Sequence, residues 1–172
     1  IPKKIQSGEH IININVNDEF GNTGYAELKI KVTPILESLS IALDKNLYFP
    51  NHTVLINPLV YDQAGAIAIE DINVEIINPE NEKIFTDVTK SNKKISFSLP
   101  KHSIPGSYKV LASTPKFNVE TNFNVGEVLA IDVTLKDQSL IIENIGNVAY
   151  KKPIKVDLKK YTIVKKPNIQ PG

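Results

Sequence analysis

The 172-residue chain contains no cysteine, no methionine, no tryptophan and no arginine. Without cysteine there are no disulfides, no thiolate metal ligands and no sulfur nucleophile. That absence does not fix a compartment, since many prokaryotic surface proteins avoid cysteine while small animal secreted domains usually depend on it. All 20 cationic residues are lysine. A nucleic-acid reader without arginine would be unusual, because bidentate contacts to guanine and phosphate favour the guanidinium fork. The net charge of +1 creates no bulk field toward nucleic acid or anionic lipid. No apolar run approaches the ~18 residues of a membrane span, and no glycine-rich phosphate loop is present. The sequence opens at Ile1 in mid-pattern, so any export signal or anchor is expected outside it.

What is present is ordinary globular material, 41% hydrophobic and 23% charged, which argues for a packed core over disorder. The abundance of Ile, Lys and Asn is read as A/T-rich coding rather than a selected binding surface. Apolar residues recur with a period of two, and no helical period runs for a useful length. In the first segment Ile12, Ile14 and Val16 alternate with Asn13, Asn15 and Asn17. After a turn at 19–24, Ala26, Leu28, Ile30 and Val32 alternate with charged residues, which predicts an antiparallel hairpin ending at Thr33-Pro34. Strands are expected near 38–44, 53–61, 71–78, 83–88, 94–99, 107–113 and 117–125, the short, turn-punctuated strands of a sandwich. The turns are assigned to Asp62-Gln-Ala-Gly65, Asn78-Pro79-Glu80-Asn81, Ser91-Asn92 and Ile104-Pro105-Gly106. From Leu129 the alternation resumes, with further strands in SLIIENIGN, PIKVDL and YTIV. The expected class is therefore all-β, as tandem immunoglobulin-like antiparallel β-sandwiches. A C-terminal hairpin of one domain is placed at 1–34, a complete sandwich at 35–127, and the N-terminal part of a further one at 128–172.

The middle segment resembles a macroglobulin-like or immunoglobulin-like domain of prokaryotic surface proteins. The resemblance rests on ALDKNLYFPNHTVLI, VYDQAGAIAIEDINVEIINPEN, FSLP, IPGSYKVLAS and NFNV. Asn81 stands where that pattern most often has glycine, a swap that still tolerates a left-handed turn. The first segment is similar to the end of a bacterial-Ig-type repeat, through Val16-Asn-Asp18-Glu-Phe-Gly21-Asn22-Thr23. The third is similar to the start of a CARDB- or NEW3-like domain, through LIIENIGNVAYKKPIKVDL. Such domains are strung in tandem in archaeal and bacterial exported proteins, which implies an extracellular or cell-surface stalk, S-layer-like or adhesive role. The cysteine–glutamine thioester of macroglobulins proper does not carry over to a chain without cysteine.

Five features could carry more than structure. Asp18, Glu19 and Asn22 make an oxygen-rich turn that a hard cation such as Ca²⁺ would accept; the competing reading is a hairpin turn whose side chains bond their own backbone. Asn51-His52-Thr53 is the single N-glycosylation sequon, after Phe49-Pro50. His10, His52 and His102 lack paired ligands at metal spacing and are read as surface histidines. Glu70 and Asp71 are neighbours on a strand and point to opposite faces, so they cannot flank one glycosidic bond. Lys151, Lys152, Lys155, Lys159, Lys160, Lys165 and Lys166 are either a patch for acidic glycans or a solvated, aggregation-resistant edge. No Gly-x-Ser-x-Gly elbow exists.

The expectation is a non-enzymatic structural or adhesive segment without a resident cofactor. Its partners would be neighbouring domains of the same chain, with self-assembly or cell-surface glycans and proteins as further candidates. No nucleic-acid partner is expected. The alternative is a glycan- or protein-binding accessory module of a secreted enzyme.

Overall fold

A computed structural model describes residues 4–158 and 161–172. Among them every regular element is a strand, and the described chain is all-β. Strands β1 (Gly8–Asn17) and β2 (Thr23–Val32) form a two-stranded antiparallel hairpin, in register from Gly8↔Val32 to Asn17↔Thr23. Cross-strand pairs Ile12↔Leu28 and Ile14↔Ala26 gather the apolar residues on one face. That face stays open, with Ile12 41% and Leu28 52% exposed.

The next eight strands close an immunoglobulin-like sandwich. They are β3 (Leu36–Leu43), β4 (Leu47–Tyr48), β5 (Thr53–Asp62), β6 (Asp71–Ile77), β7 (Lys83–Lys90), β8 (Ile95–Ser98), β9 (Gly106–Ser113) and β10 (Asn118–Val125). One sheet has the order β4-β10-β9-β6-β7 and the other β3-β5-β8. Alternate residues of both sheets meet in a buried cluster that runs from Leu39 to Val125. Within it Phe123 lies between two tyrosines. Its ring stacks on Tyr108 and meets Tyr48 edge-on, with both centroids 5.2 Å away. Aromatic pairs favour such offset and T-shaped arrangements.

The strand β4 is an addition to the seven expected, and two residues are too few to show alternation. It exists because the chain changes sheets. After β3 pairs with β5, the segment Asp44–Asn46 crosses over, and β4 pairs in parallel with the end of β10 through Asn124↔Leu47 and Val125↔Tyr48. Asp44 pins the crossover: its Oδ1 accepts from Tyr48 Oη at 2.6 Å and from Leu55 N at 2.9 Å.

Pro58 occupies the middle of β5, the central strand of its sheet. A proline there would normally break the ladder. The neighbouring β8 pairs only with Thr53–Ile56, so no strand lies alongside β5 at Pro58 on that side. Loops cover the free edge instead: Asn92 N donates to Pro58 O at 2.8 Å, and Val60 N donates to Ser91 Oγ at 2.9 Å. The outer strand β7 is protected differently. Asp87 pairs with the core residue Val74 yet remains exposed, so a charge stands on the core-facing side of an edge strand, where it discourages edge-to-edge pairing.

The remaining strands are β11 (Ile131–Lys136), β12 (Ser139–Asn144), β13 (Ile154–Leu158) and β14 (Tyr161–Lys165), with β11 antiparallel to β12 and β13 antiparallel to β14. The first pair closes on Asp137 and Gln138, both left-handed (φ 48 and 63), as a two-residue primed turn requires.

Candidate functional site

Three turns share one construction. In each, a carboxylate or amide oxygen accepts the backbone N–H groups two and four residues on. Asp18 Oδ1 takes Phe20 N and Asn22 N, at 3.0 and 2.8 Å. Asp62 Oδ1 takes Ala64 N and Ala66 N, both at 2.9 Å. Asn78 Oδ1 takes Glu80 N and Glu82 N, at 3.0 and 2.9 Å. The fourth residue is left-handed each time, as Gly21 (φ 82), Gly65 (φ 77) or Asn81 (φ 64). This is the type I turn with a bulge that closes three-residue hairpin loops.

The structure therefore places Asp18 and Asn22 in a side-chain-capped turn. Asn22 Nδ2 also donates to Asp18 Oδ2 at 2.6 Å. These bonds, the one from the Asn22 side chain first, hold the Asp18 carboxyl below the usual carboxylate range. Glu19 is exposed at the tip. Among the described residues no group of three or more His, Asp or Glu is close enough to hold a metal ion.

Asn51 sits exposed and left-handed (φ 65) in the β4–β5 turn, and its backbone N–H donates to Leu99 O. The three histidines are apart, each against backbone: His10 on Gln6 O, His52 on Phe49 N and His102 on Gly146 O. His10 and His102 are half-buried, not free on the surface. Of the lysine set, Lys151, Lys152, Lys155, Lys165 and Lys166 are exposed, and Lys155 lies 3.3 Å from Asp157. Lys159 and Lys160 fall outside the described residues.

The sites with most of the buried polar chemistry are the two joints of the sandwich; the short links at 32–35 and 125–128 are legible in the sequence, the side chains that close them are not. At the first, the Asp62–Gln63 turn grips the base of the β1–β2 hairpin. Asp62 is only 2% exposed, and its second oxygen accepts from Ser7 N at 2.8 Å. Bonding to Ser7, then to Ala64 and Ala66, pulls its carboxyl down to about 2 against the opposing effect of burial. Gln63 spans both legs of the hairpin: Nε2 donates to Ile5 O at 2.8 Å, and Oε1 accepts from Ile35 N at 2.7 Å.

The second joint is built around Asn147, 6% exposed. Its Nδ2 donates to Ser103 O at 2.9 Å and to Gly126 O at 3.0 Å, while its Oδ1 accepts from Val128 N at 2.6 Å. Nearby, His102 Nδ1 donates to Gly146 O at 2.8 Å. Asn144, 1% exposed, holds its own unit together through Nδ2 bonds to Val148 O and Ile169 O, both 2.8 Å. A Cβ on Gly146 would run into Val128 O, so this close approach of two backbones requires glycine. The Glu-Asn-x-Gly-Asn run at 143–147 thus does two jobs, one internal and one across the joint. The run itself was the available signal; the partners were not visible.

No protein-family model and no curated protein matches the chain. Solved structures do. The native form of Escherichia coli alpha-2-macroglobulin aligns at 16% identity and a TM-score of 0.48, over 88% of this chain and 12% of that one. Salmonella alpha-2-macroglobulin reacted with methylamine aligns at 16% identity and 0.46, over 76% of this chain and 12% of that one. The amphioxus IgVJ-C2 molecule aligns at 11% identity and 0.30, over 69% of this chain and 59% of that one. This chain spans about an eighth of each macroglobulin.

Proposed function

We propose that the chain is a non-catalytic structural segment of an exported, multi-domain cell-surface protein, a spacer that carries its neighbours end to end. One observation supports this most. The two joints lie at opposite ends of β5: Asp62 ends the strand, while Thr53 begins it beside Ser98 and the Phe49–His52 turn, next to Gly126. Ten extended residues separate them, about 30 Å at ~3.3 Å per residue. Both joints are closed by side-chain hydrogen bonds to backbone, most of them partly buried, which resist bending better than a bare linker. The partners of this reading are the adjoining modules of the same chain, and no cofactor takes part. An antibody raised against residues 35–127 should label intact host cells or the secreted fraction; signal confined to the cytosol would overturn the location and with it the spacer role.

A second reading, an accessory module that docks acidic glycan, draws support from the exposed lysines of the third unit, Lys151, Lys152, Lys155, Lys165 and Lys166. Retention on a sulfated column that disappears when these five become glutamine would favour it.

A further inference from the structure

We propose that Asn147 is the lock of a fixed-angle joint, so that the sandwich and the unit that follows it turn as one rigid body. The inference stands on geometry and does not depend on where the protein resides.

The chain between the last sandwich strand and β11 is short, Gly126 to Ala130, and by itself would allow swivel about several backbone bonds. Asn147 removes that freedom by bonding to both sides at once. Both Nδ2 protons are used, one on Ser103 O in the β8–β9 loop of the sandwich and one on Gly126 O in the connection. The Oδ1 atom takes Val128 N, and the backbone N–H of Asn147 donates to Val128 O at 3.0 Å. Rotation of either unit would strand these groups without partners in a site where Asn147 and Ser103 are 6% exposed. Leaving buried donors and acceptors unmet is costlier than the bonds are favourable, so the joint has one well-defined setting. His102 on Gly146 O and the Phe49 ring against Gly126, where an added Cβ would come within 2.5 Å, close the joint on two further sides. Gly126 N is itself held by Tyr48 O at 2.9 Å, which ties the connection to β4.

The residue type is decisive. Only a neutral primary amide supplies two donors and an acceptor in one plane. Aspartate has the same shape but would set a carboxylate against the carbonyl oxygens of Ser103 and Gly126.

Backbone ¹⁵N relaxation on the whole chain tests the lock. In the native protein, amides of β5, β6 and β9 and amides of β11 and β12 should report one common tumbling time. A distinctly shorter time for β11–β12 would overturn the proposal. In Asn147→Asp the two sets should separate, and hydrogen exchange at Val128 N should speed up about tenfold or more while Val110 and Val74 hold their protection. A common tumbling time that survives in Asn147→Asp would equally overturn it. Should that substitution unfold the third unit, seen as lost protection at Thr134 and Ile141, which face each other across β11 and β12, the native relaxation decides alone.

Discussion

The phenol of Tyr108 donates to the carbonyl oxygen of Ile104, four residues back, at 2.9 Å. Tyr108 lies near the start of β9 with its ring in the core, 2% exposed, and its hydroxyl ties down the loop that enters the strand. This is the tyrosine corner of immunoglobulin-like sandwiches. Tyr108→Phe keeps the ring and orphans Ile104 O. We expect a loss of about 1–2 kcal/mol in urea unfolding with an unchanged m value. A midpoint equal to that of the native chain would show that the loop is held by something else. Burial raises the pKa of Tyr108, and burial followed by the bond to Asp44 raises that of Tyr48. Raised folded-state values mean stability that is present below about 10 and lost as the pH rises beyond it. Absorbance titration should therefore show these two of the six tyrosines ionising only as the fold is lost.

Acid should act through Asp62. Its folded-state value of about 2 lies below that of a free carboxylate, so the unfolded chain binds the proton first. The contribution is in place above about 4 and fades as the pH falls toward 2. Asp62→Asn should flatten this part of the acid profile. It should also set an amide donor against Ser7 N and so loosen the hairpin, seen as faster cleavage near residues 5–8 by an added protease. Equal cleavage in the variant and the native chain would show that the Ser7 bond does not hold the hairpin.

Calcium should change little. Asp18 already accepts three N–H groups, two at Oδ1 and one at Oδ2, and Asn78 performs the same turn with no charge at all. Millimolar Ca²⁺ should leave the melting temperature where it is. An upward shift that Asp18→Ala abolishes would instead establish a cation at the hairpin tip.

How much of this was legible in the sequence depends on the kind of contact. The strands were legible because burial on one face writes a period of two: in β10, Phe123 and Val125 are buried while Asn118, Asn122 and Asn124 are exposed. The turns at 62–65 and 78–81 were legible because a left-handed residue needs Gly or Asn. The crossover into β4 was not, since Leu47–Tyr48 is too short to alternate. Nor were the side chains that close the joints. Gln63 meets Ile5 across 58 positions, and Asn147 meets Ser103 across 44, through backbone atoms that every residue possesses. Such a contact leaves a mark only on one partner, here a Gln in a turn and an Asn after a Gly. His102 shows the same limit: nothing in its surroundings in sequence announces Gly146 O as its neighbour.

The parallel pairing of β4 with the end of β10 bears on how the module would carry load. The chain enters the sandwich through β3 and β4 and leaves it through β10, so tension applied at the two ends draws β4 and β10 past each other lengthwise. The bonds between them, Asn124 N to Asn46 O and Gly126 N to Tyr48 O, both 2.9 Å, lie across that direction and are strained together, not peeled in turn. Tension applied this way shears strands instead of unzipping them, with β3 against β5 loaded alongside β4 against β10.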